Sequence, residues 1–429
     1  MGDNNVEKPL HEVTGLITVD VEKAAQKTDL NLWDVYALAA KHTELLATSA
    51  ENVEQAKAQS AQALGAWLPQ ISLGDTKSWQ SNDYIVGSAN SIFPPSDNAL
   101  YLSGAETILS GLNQVAAIQG AQATVDFQNE NLRNAAATLL SNVAQDFYNV
   151  LQLQDALQTQ QASRDLTEQT LAQQKKWQTI GRAQKSDVLS TSAQLAQVVA
   201  NLTSTQNQLT QAKETLATLA AIKPDAVLHS EDEIFTAPPY PLAEALTKVE
   251  SRPDVKAAAI SVAISDAFLL QAHGEHLPSL AMQGQYYLQK DGGSSAPDWN
   301  LQLVASLPLF EGGQIIAQEN QAGSKKRQAQ LQLSLVRRNA AEQVRQVYQN
   351  LTDSIQEMDA FQKAVDAAQE AYEAVLHDYK LSLTTNIQVL NALSTLETTK
   401  ESWVKAKYQV LTDQVALGVA TGELPKTQK

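Results

Sequence analysis

The side chains whose types and spacing come nearest to chemistry are His273 and His276, set in HGEH with Glu275 between them. Two imidazoles one helical turn apart hold a transition metal when a carboxylate completes the set. Only Glu275 stands near in sequence, so the pair reads as a helix end rather than a metal centre. No cysteine occurs in the chain, which removes disulfides, thiolate metal sites and cysteine nucleophiles. It also removes a lipidated N-terminal cysteine from this chain as given. There is no nucleophile elbow, phosphate loop or HExxH helix, and the carboxylates are scattered over helical faces. The expectation is a protein that is not an enzyme, with no catalytic residues, no cofactor and no metal. A basic cluster, Lys325-Lys326-Arg327 with Arg337 and Arg338, reads either as a solvated helix face or as a contact for anionic headgroups. Asp187 opens a helical run, where a carboxylate suits an N-cap or first turn.

The elements that would position these residues follow from the whole chain. It has 429 residues, 31 Lys+Arg against 47 Asp+Glu and a formal net charge of −16. That acidity argues against a nucleic-acid partner, which demands a basic footprint. Hydrophobic residues are 43% and aromatics only 6%, which favours helices packed through small side chains. No run approaches ~18 consecutive apolar residues, so no transmembrane helix is expected. The opening MGDNNVEKPL lacks a basic-then-apolar signal, which implies that a signal peptide is absent or removed. A membrane β-barrel survives all of these exclusions, because alternating strands hardly raise hydropathy.

The chain repeats itself. Leu100–Gly111 (LYLSGAETILSG) matches Leu301–Gly312 (LQLVASLPLFEG), 201 residues on. Tyr148 in AQDFYNVL matches Tyr348 in VRQVYQNL, and Leu68-Pro69 matches Leu277-Pro278. An insertion at Asp83–Asn98, rich in Asn, Ser and Pro, reads as an exposed loop of the first half. The plan is an N-terminal arm (1–31), a first repeat (32–222), a linker (223–240) with three prolines, a second repeat (241–424) and a tail (425–429). Each repeat runs helix, strand, loop, strand, then a long helical hairpin. The strands are expected near 68–79, 99–110, 279–290 and 299–310, and the hairpin tips at 179–187 and 381–388.

The stretch from about Gly111 to Trp177 holds no proline and one internal glycine, Gly120. As a helix it spans on the order of 100 Å, too long for a globular core and suited to a coiled coil or bundle. Val188, Leu195, Leu202, Leu209 and Leu216 recur every seven residues, as do Val389, Leu396, Trp403, Val410 and Leu417. Such a repeat demands a left-handed supercoil. The flanking faces carry Gln, Thr, Asn and Ser rather than Glu/Lys pairs, which suits a wall wetted on both sides.

In the second half, Leu280, Met282, Tyr286 and Leu288 alternate with Gln283, Gln285, Tyr287 and Gln289. Trp299, Leu301, Leu303, Ala305, Leu307 and Leu309 alternate with Asn300, Gln302, Val304 and Ser306. Period two is a strand with one apolar and one wet face, and an ordinary half-buried sheet shares it. Three features favour lipid: no core is left to cover the strands, the wet face is amide-rich, and Trp67, Trp79 and Trp299 fall near strand ends. Single-chain barrels begin at about eight strands. An open sheet of four in lipid leaves edges unpaired, so several chains would have to close one barrel.

The LPQISL opening of the first strand, the SLPLFEGG junction (Ser306–Gly313), the KSDVLSTSAQL run (Lys185–Leu195) and NIQVLNALSTL (Asn386–Leu396) occur in this duplicated order. In these the chain resembles the TolC family of bacterial outer-membrane channel proteins, from about Leu32 to Leu424. The resemblance implies an α+β membrane protein: a homotrimer whose chains each give four strands to one transmembrane β-barrel and helical hairpins to a periplasmic α-barrel tunnel. It implies an outer-membrane exit duct for efflux or type I secretion, with most of the chain in the periplasm. Its partners would be a periplasmic adaptor, an inner-membrane pump that supplies the energy, and outer-membrane lipid. The competing reading is a soluble periplasmic coiled-coil structural or adaptor protein; two tandem hairpins disfavour it.

The resemblance also implies a gate at the tips. Two aspartates that ring the aperture in family members fall here on Gln388 and Asn391, so an amide ring replaces a cation-binding acidic one. Asp187 would supply charge nearby. Thr384 and Ser382 stand where the second tip often carries a basic residue and glycine. The first tip keeps Gly181 and Arg182. Gly181, Arg182, Ser382 and Leu383 would contact the adaptor, and Asp187, Gln388, Asn391 and Thr384 would form the gate.

Overall fold

The computed structural model describes residues 18–79, 96–230, 233–291 and 297–423. The first 17 residues of the expected arm, most of the insertion at 83–98 and the tail at 425–429 lie outside them. The chain forms two compact units, each drawn from both repeats. The first comprises Met1–Glu51, Asn131–Val255 and Arg337–Lys429, and the second Asn52–Glu130 and Lys256–Val336.

In chain order the helices are α1 (Thr18–Gln26), α2 (Leu32–His42), α3 (Glu44–Gly65), α4 (Asn113–Thr179), α5 (Lys185–Ala220), α6 (Leu242–Thr247), α7 (Pro253–Gly274), α8 (Gln314–Lys380) and α9 (Asn386–Ala420). The strands are β1 (Asp29–Leu30), β2 (Gln70–Trp79), β3 (Ser96–Ser110), β4 (Val227–Leu228), β5 (Ser279–Asp291) and β6 (Trp299–Ser306). The duplication is metrical. α4 and α8 have 67 residues each, and α4, α8, α5 and α9 begin at positions related by the same 201-residue offset.

Local chemistry sets the element ends. Asn31 caps α2: its Oδ1 accepts from Asp34 N at 2.9 Å, and Asp34 reaches back to Asn31 N, a reciprocal capping box. The helical segment that opens the first repeat is divided at Thr43, whose backbone is extended. β2 starts at Gln70, not 68, and β6 stops at Ser306, not 310. Pro69 and Pro308 account for both ends, since proline donates nothing to a ladder. The linker carries β4, which pairs in parallel with β1, a two-residue sheet too short to be read from periodicity.

The core of the first unit is the middle of α4. Leu132, Ala136, Leu139, Leu140, Val143, Phe147 and Val150 are buried at three- and four-residue spacing, one stripe of a helix. Leu32, Val35 and Tyr36 of α2 are buried with it, and Tyr36 Oη donates to Ala136 O at 3.3 Å. The heptad of α9 is buried at Val389, Leu396, Val410 and Leu417. On α5 a second seven-residue row, Thr191, Val198, Thr205 and Ala212, is buried more consistently than the leucine row.

In the second unit, α7 departs from expectation. It is long and apolar enough to cross a membrane by composition, with mean hydropathy 1.5, yet little of that stretch is buried. It carries Asp266 at mid-length, paired with Lys326 of α8 at 2.6 Å. It also packs Ala267 closely against Gly120 of α4. These contacts hold one side of α7 against α4 and α8.

Candidate functional site

Two features carry the functional reading, one in each unit. The first is the sheet of order β2-β3-β5-β6, every neighbouring pair antiparallel. Register assigns the faces. Leu73 pairs with Leu102, Leu102 with Tyr286, and Tyr286 with Trp299. Ile71, Leu73, Leu102, Met282, Leu301 and Leu303 therefore share one face. The other face carries Ser72, Thr76, Tyr101, Ser103, Gln283, Gln285, Tyr287, Asn300 and Gln302. There Ser72 and Ser103 hydroxyls meet at 2.7 Å, and Tyr287 Oη donates to Gln285 Oε1 at 3.0 Å. Gly74 leaves room for Tyr101, since a Cβ there would meet the ring at 2.7 Å.

The apolar face is uncovered. Ile71 is 71% exposed, Leu73 66%, Leu301 61% and Leu303 65%. Such a contiguous apolar surface marks a membrane or protein contact. Strand directions alternate, so the two edges, β2 and β6, run oppositely. A β6 edge set beside the β2 edge of another copy would therefore run antiparallel to it. Trp79 ends β2 and is 73% exposed. Trp299 opens β6 but lies level with Leu73 through Tyr286 and Leu102, in the middle of the sheet rather than at the end expected for an aromatic belt.

The second feature is the pair of hairpin tips in the first unit. At the first, Gly181 takes φ +75 and Arg182 N donates to Trp177 O at 2.8 Å. At the second, Ser382 takes φ +62 and Leu383 N donates to Asp378 O at 2.9 Å. Both are Schellman turns, 201 residues apart, and the second places a non-glycine in the left-handed region. Ile180, Leu381, Leu383 and Ile387 are exposed apolar side chains there.

The polar side chains of the tips are largely engaged. Asp187 Oδ2 accepts from Gln184 N at 3.2 Å, the capping role weighed from the sequence. Gln388 Oε1 accepts from Thr385 N at 3.2 Å and from the Thr384 hydroxyl. Thr385 and Gln388 thus form a capping box on α9, with the Thr384 hydroxyl joining it, while Asn391 is exposed one turn on. Beneath them lies a knot that sequence reasoning missed. Gln174 of α4 donates to Asn386 Oδ1. Thr191 Oγ1 donates to Gln174 Oε1 at 2.7 Å, and Asn386 Nδ2 donates to Thr191 Oγ1 at 3.2 Å and Asp187 O at 3.3 Å. Gln174 and Thr191 are fully buried and Asn386 is 3% exposed. The signal was their heptad placement, hidden because amides and hydroxyls read as wet. Trp177 and Tyr379 pack at 5.5 Å. Burial, then the Asp187 charge, raises the Tyr379 phenol above its ordinary value, with Gln174 opposing. A cavity of about 490 Å³ lies between the tips, lined by Arg182, Asp187, Tyr379, Ser382 and Thr384 among others.

The remaining candidates are placed as follows. His273 and His276 both face Glu319 of α8, at 3.5 and 3.4 Å, while Glu275 takes Asn113 Nδ2 at 3.1 Å. Of the basic cluster, Lys326 pairs with Asp266, Arg337 with Glu250 at 2.9 Å, and Arg327 donates to Ser324 at 2.9 Å.

Known proteins share this arrangement. The model of the outer membrane efflux protein family matches residues 35–221 and 247–423. Outer membrane protein TolC of Escherichia coli (strain K12) is 26% identical over 411 residues, covering 92% of this chain and 82% of that protein. Outer membrane efflux protein BepC of Brucella suis is 24% identical over 321 residues, 74% of this chain and 69% of that protein. The solved structure of the outer membrane protein VceC from Vibrio cholerae superposes with a TM-score of 0.80 at 18% identity, covering 91% of this chain and 96% of that one.

Proposed function

The chain belongs to the outer membrane efflux protein family, and from that premise we propose that three copies build one gated duct. The protein is an outer-membrane exit duct for efflux or secretion. The observation that carries the reading is the uncovered apolar face of the four-stranded sheet with its two opposed open edges. In hydrocarbon every backbone group must be paired, so an open sheet of four is excluded and closure must come from other copies. Successive β6-to-β2 pairing generates a ring with cyclic symmetry. Three copies would give twelve strands, within the range of membrane barrels of about eight or more. The Ser-, Gln- and Tyr-lined face then points to water inside.

The hairpins form the periplasmic tunnel, and their tips hold its gate and its adaptor contact. The amide-lined constriction at Asn391, with Asp187 and Gln388 engaged in caps, carries little cation affinity. The tip apolar side chains Ile180, Leu381 and Leu383 offer the adaptor a greasy rim around Gly181, Arg182 and Ser382. Energy comes from an inner-membrane pump. The alternative, a soluble coiled-coil adaptor, leaves the apolar sheet without cover. Planar-bilayer recording tests the proposal: purified protein should give discrete conductance steps, while a protein that stays in solution without detergent and never conducts would refute it.

A further inference from the structure

Partway along α4, Gln160 and Ser163 lie one turn apart and are 6% and 5% exposed. Across from them α9 presents Glu397 and Glu401, also one turn apart. Gln160 Nε2 donates to Glu401 Oε1 at 2.7 Å. Three observations exceed what packing two helices requires. Gln160 Oε1 is buried without a hydrogen-bond partner, an uncommon state for buried polar atoms. Glu397 and Glu401 are like charges at i,i+4, a destabilising pair. Among the described residues neither has an ion-pair partner, and the neighbouring Lys400 is turned away, its Nζ donating to Gln369 Oε1 at 3.1 Å. The Ser163 hydroxyl hydrogen-bonds the Glu397 carboxyl across the helix pair.

We propose that Gln160, Ser163, Glu397 and Glu401 form a calcium site that staples α4 to α9. All four offer oxygen to a hard cation. A half-turn of the Gln160 amide exchanges its two ends and brings the orphaned Oε1 to the place where Nε2 now meets Glu401. The cation takes both carboxylates, the amide oxygen and the Ser163 hydroxyl, and water completes the shell. Calcium accepts six to eight oxygens in flexible geometry, whereas magnesium demands a near-ideal octahedron that two helices do not supply. Two carboxylates and two neutral oxygens place the dissociation constant at about 10⁻⁴–10⁻³ M, the range of extracellular modules. The site is complete within one chain, so it stands whether or not the duct is trimeric.

The full-length protein in detergent, freed of divalent ions by a chelator, tests this. Calorimetric titration with CaCl₂ should give one ion per chain. The melting temperature should rise with calcium beyond the effect of NaCl at matched ionic strength. Both responses should vanish in the double variant Glu397→Gln/Glu401→Gln, whose calcium-free form should melt no lower than the parent because the like-charge pair is gone. Should that variant fail to fold, Gln160→Ala keeps both charges and should bind calcium about tenfold more weakly, one lost ligand of four. A calcium response equal to that of NaCl, or one unchanged in the carboxylate or Gln160 variants, overturns the site. An equal response to MgCl₂ overturns its assignment to calcium.

Discussion

Asn386 offers the sharpest perturbation of the tips. It is 3% exposed, accepts from Gln174, and donates to Thr191 and to the Asp187 carbonyl. Asn386→Ala removes all three bonds. The single Thr191 hydroxyl proton keeps its two nearby acceptors, Gln174 Oε1 and the Asp187 carbonyl, to share. The Gln174 Nε2–H that met Asn386 then loses its acceptor in a buried site, at about 1–3 kcal/mol, and two long bonds of about 0.5 kcal/mol each are lost. The tip should therefore loosen by about 2–4 kcal/mol. If the hairpins part at this knot when the duct opens, the open-to-closed ratio rises by roughly 30- to 700-fold. Single-channel recording of the variant should show a higher open fraction, and Gln174→Ala combined with it should add little, since both cut the same knot. A variant with parental open fraction and parental hydrogen exchange across residues 384–391 would refute the reasoning.

Further outcomes follow from the same geometry. Leu301→Lys on the uncovered face should disfavour membrane insertion by about 2–4 kcal/mol at the midplane, whereas Gln302→Lys, one residue on, should insert normally and shift ion selectivity; heat-modifiable gel mobility and bilayer recording read the two. Ser382→Gly relieves a left-handed serine worth about 1–2 kcal/mol against the glycine's unfolded-state freedom of about 0.4–1 kcal/mol, so thermal unfolding should show a small gain, and Gly181→Ala a loss. Burial raises the Asp413 carboxyl above its ordinary value, with Ser354 and Gln409 opposing. The folded state thus keeps this proton to higher pH than the unfolded chain, and the stability it lends is full in acid and lost as pH rises through the folded value. Asp413→Asn should accordingly raise the melting temperature at neutral pH and leave it unchanged below about pH 4, the ordinary carboxylate range.

Much of the fold was legible because long-range regularity is written in residue types. The 201-residue offset reappears as two 67-residue helices, and the Leu/Gln alternation of β5 and β6 reappears as two faces of one sheet. What escaped has identifiable causes. Strand ends moved by two to four residues because Pro69 and Pro308 override the alternation around them. The row Thr191, Val198, Thr205 and Ala212 is a buried seam, yet threonine and alanine carry too little hydropathy to announce it. The knot of Gln174, Thr191 and Asn386 escaped for the same reason: an amide becomes a core residue only when its partners arrive from other helices. Likewise, Gln388 looks like a pore residue along the chain, and only the turn of Thr384 and Thr385 reveals the cap that occupies it.

The central claim, that one chain's open sheet is completed by other copies into a membrane duct, is tested most directly by electron microscopy of the detergent-solubilised protein. The account predicts hollow particles with threefold symmetry and a long axis on the order of 100 Å or more, the span of one 67-residue helix. Compact monomers or thin solid rods would contradict it, and the apolar face of the sheet would then belong to a contact of another kind.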